Sequence, residues 1–269
     1  ETGSTPWLRV LKKNPDHQAR LVLFSWTGNR GGQGSAHNFQ RGPPPWPQLL
    51  PQCELYEVNW PGRGTRIKEP LATRAVLLAE DCAAALWPAL SSGRPFAFLG
   101  FAFGAILAYE VARILQQKMP GQGPLCVLAI SSEGPEWPGR RGESHRLAPA
   151  AFEDMLRSKG GTDFILRDDG MKATYVPVIR ADMELEETYK WEPLPLLRCP
   201  VLAIRGSAHG RDKQESGVTE DEAALWLDTT SCRSASKVVT LSTDWYVLQE
   251  PAGCESIAAE LEEVLKDRI

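Results

Sequence analysis

The sequence of 269 residues contains no cysteine pair at metal-binding spacing, no membrane-length apolar run and no surplus of positive charge. Its six cysteines, Cys53, Cys82, Cys126, Cys199, Cys232 and Cys254, include no C-x-x-C and no Cys/His cluster, so neither a zinc site nor any other metal site is expected. Three of them fall inside apolar stretches, which suits buried free thiols better than a secreted disulfide framework. No apolar run approaches the roughly 18 residues of a membrane span, so no transmembrane segment is expected. Thirty Lys and Arg against 34 Asp and Glu give a net charge of −4, which speaks against a nucleic-acid partner, since such binding displaces counterions with basic patches. Repeats, low-complexity tracts and cofactor motifs are absent, and no cofactor is expected. No secretory or transit segment is visible. The chain begins Glu1-Thr2-Gly3 rather than with Met, as expected of a processed product or of added leading residues. The expected setting is soluble and intracellular, cytoplasmic or organellar after removal of a targeting segment.

What is present is ordinary globular composition, 42% hydrophobic and 24% charged. A single domain over residues 1–269 is expected, long enough to bury a sizeable core without staples. Short apolar runs alternate with helical segments. Strands are predicted at Arg20–Phe24, Cys53–Asn59, Phe96–Leu99, Leu125–Ile130, Pro200–Ile204 and Lys237–Leu241. Helices are predicted at Leu71–Leu90, Ala105–Gln117 and Glu255–Lys266. The runs are continuous rather than alternating in polarity, which indicates a mostly parallel central sheet with helices on both faces. Gly28 to Pro47 is too polar and too rich in breakers to form an element. Residues 143–190 interrupt the alternation with helical pieces and acidic clusters, as a lid inserted over the carboxyl ends of the strands would.

The segment Leu99-Gly100-Phe101-Ala102-Phe103-Gly104-Ala105 carries the strand–turn–helix context of a nucleophile elbow, G-x-S-x-G. The glycines serve a sharp turn with close backbone packing. The middle residue stands at the tip, above a helix N-terminus able to stabilise an oxyanion. Here that residue is Ala102, which has no nucleophilic atom.

With these blocks the sequence resembles the type II thioesterases of polyketide, nonribosomal-peptide and fatty-acid synthesis. The resemblance covers nearly the whole chain. Asn59-Trp60-Pro61-Gly62-Arg63-Gly64-Thr65-Arg66 with Glu69-Pro70 is similar to that family's P-G-R-G-x-R-x-x-E-P block. Gly160-Gly161-Thr162 through Pro177 to Asp182 and on to Tyr189 is similar to its lid block, Cys199 to Ile204 with Gly206 to the strand before its acid loop, and Glu250-Pro251 to the close of its histidine block. The resemblance implies an α/β-hydrolase fold with a helical lid. It also implies hydrolysis of acyl groups from carrier-protein phosphopantetheine by a Ser-His-Asp triad, and hence a carrier protein as partner.

All three triad positions depart from that pattern. The serine position falls on Ala102, the aspartate position on His209 and the histidine position on Asp244. Without a hydroxyl there is no acyl-enzyme. An alanine introduced in place of a native serine accounts for one departure of the three. The other two exchange a histidine and a carboxylate between loops, and a carboxylate at the base position is a poor proton acceptor unless desolvation raises its pKa. In the oxyanion loop Thr27 takes the position whose N–H faces the oxyanion, with Phe101 or Phe103 flanking the elbow. Ser131 and Ser132 read as turn residues, Cys126 as a buried inert thiol, and His17, His37 and His145 as lone histidines in polar loops. Trp87, Trp191 and Trp226 read as core; Trp7, Trp46 and Trp137 sit in loop contexts. The expectation is a thioesterase-like fold that has lost catalysis and serves as a structural or acyl- and partner-binding subunit of a larger assembly. The alternative is an active thioesterase whose native residue 102 is serine.

Overall fold

The computed structural model describes residues 5–24, 46–118, 121, 123–159, 162–207, 217–243 and 247–266. Seven strands form one sheet: β1 (Leu8–Lys12), β2 (Ala19–Phe24), β3 (Cys53–Val58), β4 (Phe96–Phe101), β5 (Val127–Ile130), β6 (Val201–Gly206) and β7 (Lys237–Leu241), in the order β1-β3-β2-β4-β5-β6-β7. All neighbouring pairs are parallel except β1 with β3. The six predicted strands are present within a residue or two of their expected bounds. The seventh, β1, was not expected. It is a half-buried edge strand of sequence L-R-V-L-K, and the register shifts between Val10 and Lys12 against β3.

The helices are α1 (Trp46–Leu49), α2 (Ala75–Leu90), α3 (Phe103–Lys118), α4 (Pro149–Lys159), α5 (Asp163–Leu166), α6 (Asp169–Thr188), α7 (Glu220–Ala224) and α8 (Pro251–Lys266). Side-chain alternation sorts the strand residues onto two apolar faces. Val22, Phe24, Phe96, Phe98, Val127 and Ala129 pack under α2 and α3. Leu21, Leu23, Ala97, Leu99, Leu128 and Ile130 pack under α8 and Trp46 of α1. Both faces of β2 to β5 are therefore covered, and their sequences are apolar throughout for that reason. Trp46 is buried and begins α1, so the breaker-rich stretch ending at Pro47 gives way to a helical turn earlier than its composition predicts. Residues 25–45, and with them most of that stretch, lie outside the described residues.

Between β5 and β6 run α4, α5 and α6, with a small core of their own from Phe152, Leu156, Ile165, Leu166, Ile179 and Met183. Asp168 caps α6 by accepting from the Met171 amide at 2.7 Å. Five of the six cysteines are buried, and all are free thiols. Burial pushes the Cys53 and Cys254 thiols up to about 11 and Cys82 higher still, so these thiols are unreactive.

Candidate active site

The elbow is present as backbone. β4 ends at Phe101 and α3 begins at Phe103, leaving Ala102 alone at the tip with φ of 51°. An L-residue in this left-handed region bears a strain of about 1–2 kcal/mol. The turn is fixed by the Ala102 N–H, which donates to the Ile130 carbonyl of the neighbouring strand at 2.9 Å, and by the Ala105 N–H, which donates to the Ala102 carbonyl at 3.0 Å. Gly100 is required sterically: a Cβ there would overlap the Ala105 backbone and lie 2.6 Å from the Gly104 carbonyl oxygen. The first half of G-x-x-x-G is thus accounted for by α3 starting immediately beside the strand it leaves. Phe101 packs on the α8 side of the sheet and Phe103 on the α2 and α3 side. Ala102 presents a half-buried methyl group where the pattern of the elbow puts a hydroxyl.

The other predicted site residues, Thr27, His209 and Asp244, lie outside the described residues, as does His37. The strands that lead to them are described, and β2, β4, β5, β6 and β7 are parallel. Their carboxyl ends therefore share one sheet edge, the edge at which open α/β sheets build their sites.

The chain on either side of the elbow is secured to it by polar contacts that sequence reading did not find. Tyr189, just after α6, stacks edge-to-face on Phe103 with ring centroids 6.0 Å apart. Its hydroxyl donates to Glu110 Oε1 on α3 at 2.5 Å, and Arg113 donates to both Glu110 oxygens at 3.1 Å. Burial raises the Glu110 pKa against the opposing pull of Tyr189 and Arg113, and burial beside Glu110 raises that of Tyr189. Arg63, in the loop after β3, grips the fully buried Asp182 of α6 through two bonds of 2.6 and 3.1 Å. Such a bidentate pair fixes the position of α6 relative to the sheet edge. These residues fall within the Pro61 to Arg66 and Pro177 to Tyr189 blocks, but their pairing across 119 positions has no local signature.

Two histidines expected to be lone surface residues are not. His17 is buried, its Nε2 3.3 Å from Glu54 Oε2, in a charged cluster with Arg20 at the opposite edge of the sheet. His145 Nδ1 lies 2.6 Å from Glu187 Oε2, and Glu187 also accepts from the Ser144 and His145 amides at 3.0 Å each. Burial pushes the Glu187 pKa upward, but these hydrogen bonds outweigh it and hold the carboxyl below its usual value. Each partner is 37 or 42 positions away, which hid it from sequence inspection. Trp226 is fully buried as expected, whereas Trp87 and Trp191 are only partly buried against the core.

A cavity of about 190 Å³ lies beside Tyr189, lined also by Pro135, Trp137, Arg140, Arg141 and Trp191. It does not reach Ala102. Among the described residues no group of three His, Cys, Asp or Glu side chains is placed to hold a metal, and no helix is long and apolar enough to cross a membrane.

Comparison with known proteins locates this arrangement. Residues 30–264 match the family model of the thioesterase domain. The thioesterase PikA5 of Streptomyces venezuelae is 35% identical over 233 residues, which is 84% of this chain and 74% of that protein. The medium-chain S-acyl fatty acid synthase thioesterase of Homo sapiens is 28% identical over 90% of this chain and 85% of its own. Among solved structures, the type II thioesterase BorB from the borrelidin biosynthetic cluster superimposes with a TM-score of 0.75 at 26% identity, covering 98% of both chains.

Proposed function

Because the chain belongs to the thioesterase family, we propose that it is a non-hydrolytic member, which holds acyl groups carried on the pantetheine arm of a carrier protein, within a larger assembly, without cleaving them. One observation carries this reading: the elbow keeps its turn, its close-packed Gly100 and its left-handed tip, yet the tip residue is Ala102. The Ser-His-Asp device needs an oxygen there to attack the thioester carbonyl and a base to take its proton. Ala102 supplies no oxygen. His209 and Asp244, which stand at the acid and base positions of the family pattern, exchange the chemistry those positions need. The helix N-terminus at Phe103 still offers its dipole to a bound carbonyl, with Thr27 as the facing oxyanion residue. Binding of a thioester therefore outlasts its hydrolysis. In this reading residues 143–190 act as the lid over the bound acyl chain, anchored by Arg63–Asp182 and Tyr189–Glu110.

The second reading is a working thioesterase whose gene encodes serine at position 102. What favours it is the strain retained at Ala102, a conformation that a nucleophile uses and an alanine does not need.

Steady-state hydrolysis of acyl-pantetheine thioesters separates the two. The expected result is no turnover above the uncatalysed rate, and none approaching an intact triad after Ala102→Ser alone, because positions 209 and 244 stay exchanged. Turnover that disappears on replacing His209 or Asp244 overturns the non-hydrolytic reading. Native mass spectrometry of the protein from its source tests the assembly: a stoichiometric complex is expected, and a free monomer with an empty pocket counts against it.

A further inference from the structure

The loop after β3 and the first turn of α2 expose an apolar and basic surface that the proposed acyl site does not use. Ile67 is 56% exposed, Val76 46% and Leu77 52%, three of the most exposed large apolar side chains among the described residues. Single exposed apolar residues are unremarkable, but three within eleven positions form a patch of the kind that marks contact sites. Residues 63–77 carry Arg63, Arg66, Lys68 and Arg74 against the single acid Glu69, in a chain whose net charge is −4. Two of these cations are committed internally: Arg63 to Asp182, and Arg66 to Glu69, to the Asn59 carbonyl and to the face of Trp7. Lys68 and Arg74 are exposed and make no ion pair with any described carboxylate.

The surface is also preformed. Gly62, at φ of 77°, lets Leu71 fold back onto it, and a Cβ there would overlap the Leu71 side chain. The Gly62 N–H donates to the Arg66 carbonyl at 3.0 Å, which closes the loop. Its position is equally specific. β3 and β4 flank β2 and run parallel to it, so the carboxyl end of β3 lies two strand spacings, about 10 Å, from the end of β4 that carries Ala102. A protein seated on Ile67, Lys68, Arg74, Val76 and Leu77 stands beside the elbow.

We propose that this surface docks the acidic, apolar-studded helical face of an acyl-carrier domain, with Lys68 and Arg74 meeting its carboxylates and Ile67, Val76 and Leu77 meeting its apolar side chains. The inference rests on the carrier-binding reading above and adds to it the place where the carrier sits. Opposed charges of this kind speed encounter and fix register, and apolar contacts at the centre hold the complex.

The test uses the full chain, a purified acyl-carrier protein bearing an acyl-pantetheine arm, and the same acyl-pantetheine without its protein. Titration calorimetry compares the unmodified chain with Lys68→Glu/Arg74→Glu and with Leu77→Asp, each checked for an unchanged melting temperature. Carrier binding is expected to weaken about tenfold or more in both variants and to weaken with salt in the unmodified chain, while binding of free acyl-pantetheine stays unchanged. Equal carrier affinity in all three proteins overturns the docking surface and leaves the carrier-binding reading standing. If the unmodified chain binds acyl-pantetheine but no carrier, or neither, both fall. Sedimentation showing a dimer that Leu77→Asp dissolves assigns the patch to a second copy of the chain instead, and also overturns the proposal.

Discussion

β4 and β5 are neighbours, they run parallel, and they end in the same way. The register pairs Gly100 with Ala129 and Phe101 with Ile130, which sets Ala102 level with Ser131. Both of these terminal residues are left-handed, at φ of 51° and 49°. Both donate their N–H to the carbonyl of the next strand along: Ala102 to Ile130, Ser131 to Ile204. The kink is therefore a general way for the chain to leave this sheet edge, not a mark of a nucleophile. What differs is how each turn is held. After Ala102 a sixteen-residue helix begins at once and packs backbone against backbone on Gly100. After Ser131 no α-helix begins until Pro149, and the intervening chain is held by charge. Arg140 donates to the carbonyls of Glu133, Gly134 and Pro135, while Glu187 gathers the amides of Ser144 and His145. Close packing secures one turn and electrostatics the other.

The glycine is the sharpest way to break the comparison. Gly100→Ala forces a methyl into the Ala105 backbone, which cannot yield without moving α3 off the sheet. A loss of about 3 kcal/mol or more is expected, read as a fall in denaturant midpoint or failure to fold. Ala129→Gly, at the same level of β5, removes only a small buried side chain and is expected to cost about 1 kcal/mol. Equal losses at the two positions would show that helix packing does not distinguish these turns.

The charged turn is expected to respond to pH where the packed one does not. Glu186 is half-buried among Arg140, Glu133, Lys159 and Glu187, and its burial, against the opposing pull of Arg140, raises its pKa to about 7. Its ordinary value is 4.5. Between those values the folded chain holds a proton that the unfolded chain has released, so this group makes stability fall as pH rises from about 4.5 to 7. Below that window it contributes nothing. Glu187 works in the opposite sense: its lowered pKa gives stability that is lost on acidification below its ordinary value. Glu186→Gln is expected to flatten the decline and to stabilise the protein at pH 8 by on the order of 1 kcal/mol, with no gain at pH 4. Melting temperatures at the two pH values check it, and an equal gain at both refers the effect to packing.

Much of this architecture could be read from residue order. Apolar runs covered on both faces announce themselves as continuous stretches, so the inner strands were placed closely, and the breakers Gly93 and Gly100 bounded β4. β1 escaped because an antiparallel edge strand is half-exposed, and L-R-V-L-K carries neither a continuous run nor a clean alternation. α8 starts at Pro251, four residues before its expected start, since proline is well suited to the first helical position. At the site, the elbow was legible because its glycine requirement is local. The pairs Arg63–Asp182, His145–Glu187 and His17–Glu54 were not. Each joins segments that only the folded topology brings together, and neither member is distinguished by its own neighbours.

The smallest effect tests the strain itself. If Ala102 is held left-handed by its surroundings, Ala102→Gly relieves the Cβ clash that the conformation imposes. Glycine also gives back conformational entropy to the unfolded chain, which offsets part of that relief. A net stabilisation of about 0.5 kcal/mol is expected, read from chemical denaturation at constant m-value. Ser131→Gly relieves a similar clash but removes a buried hydroxyl from a residue only 2% exposed, and the loss of that polar group is expected to reverse the sign. Opposite signs at two turns of equal φ would show that the strain is common to this sheet edge and that only the side chain at the tip distinguishes them. A destabilised Ala102→Gly would instead mean that the methyl contributes packing at the elbow, which makes alanine a fitted residue there and not merely what is left when a hydroxyl is gone.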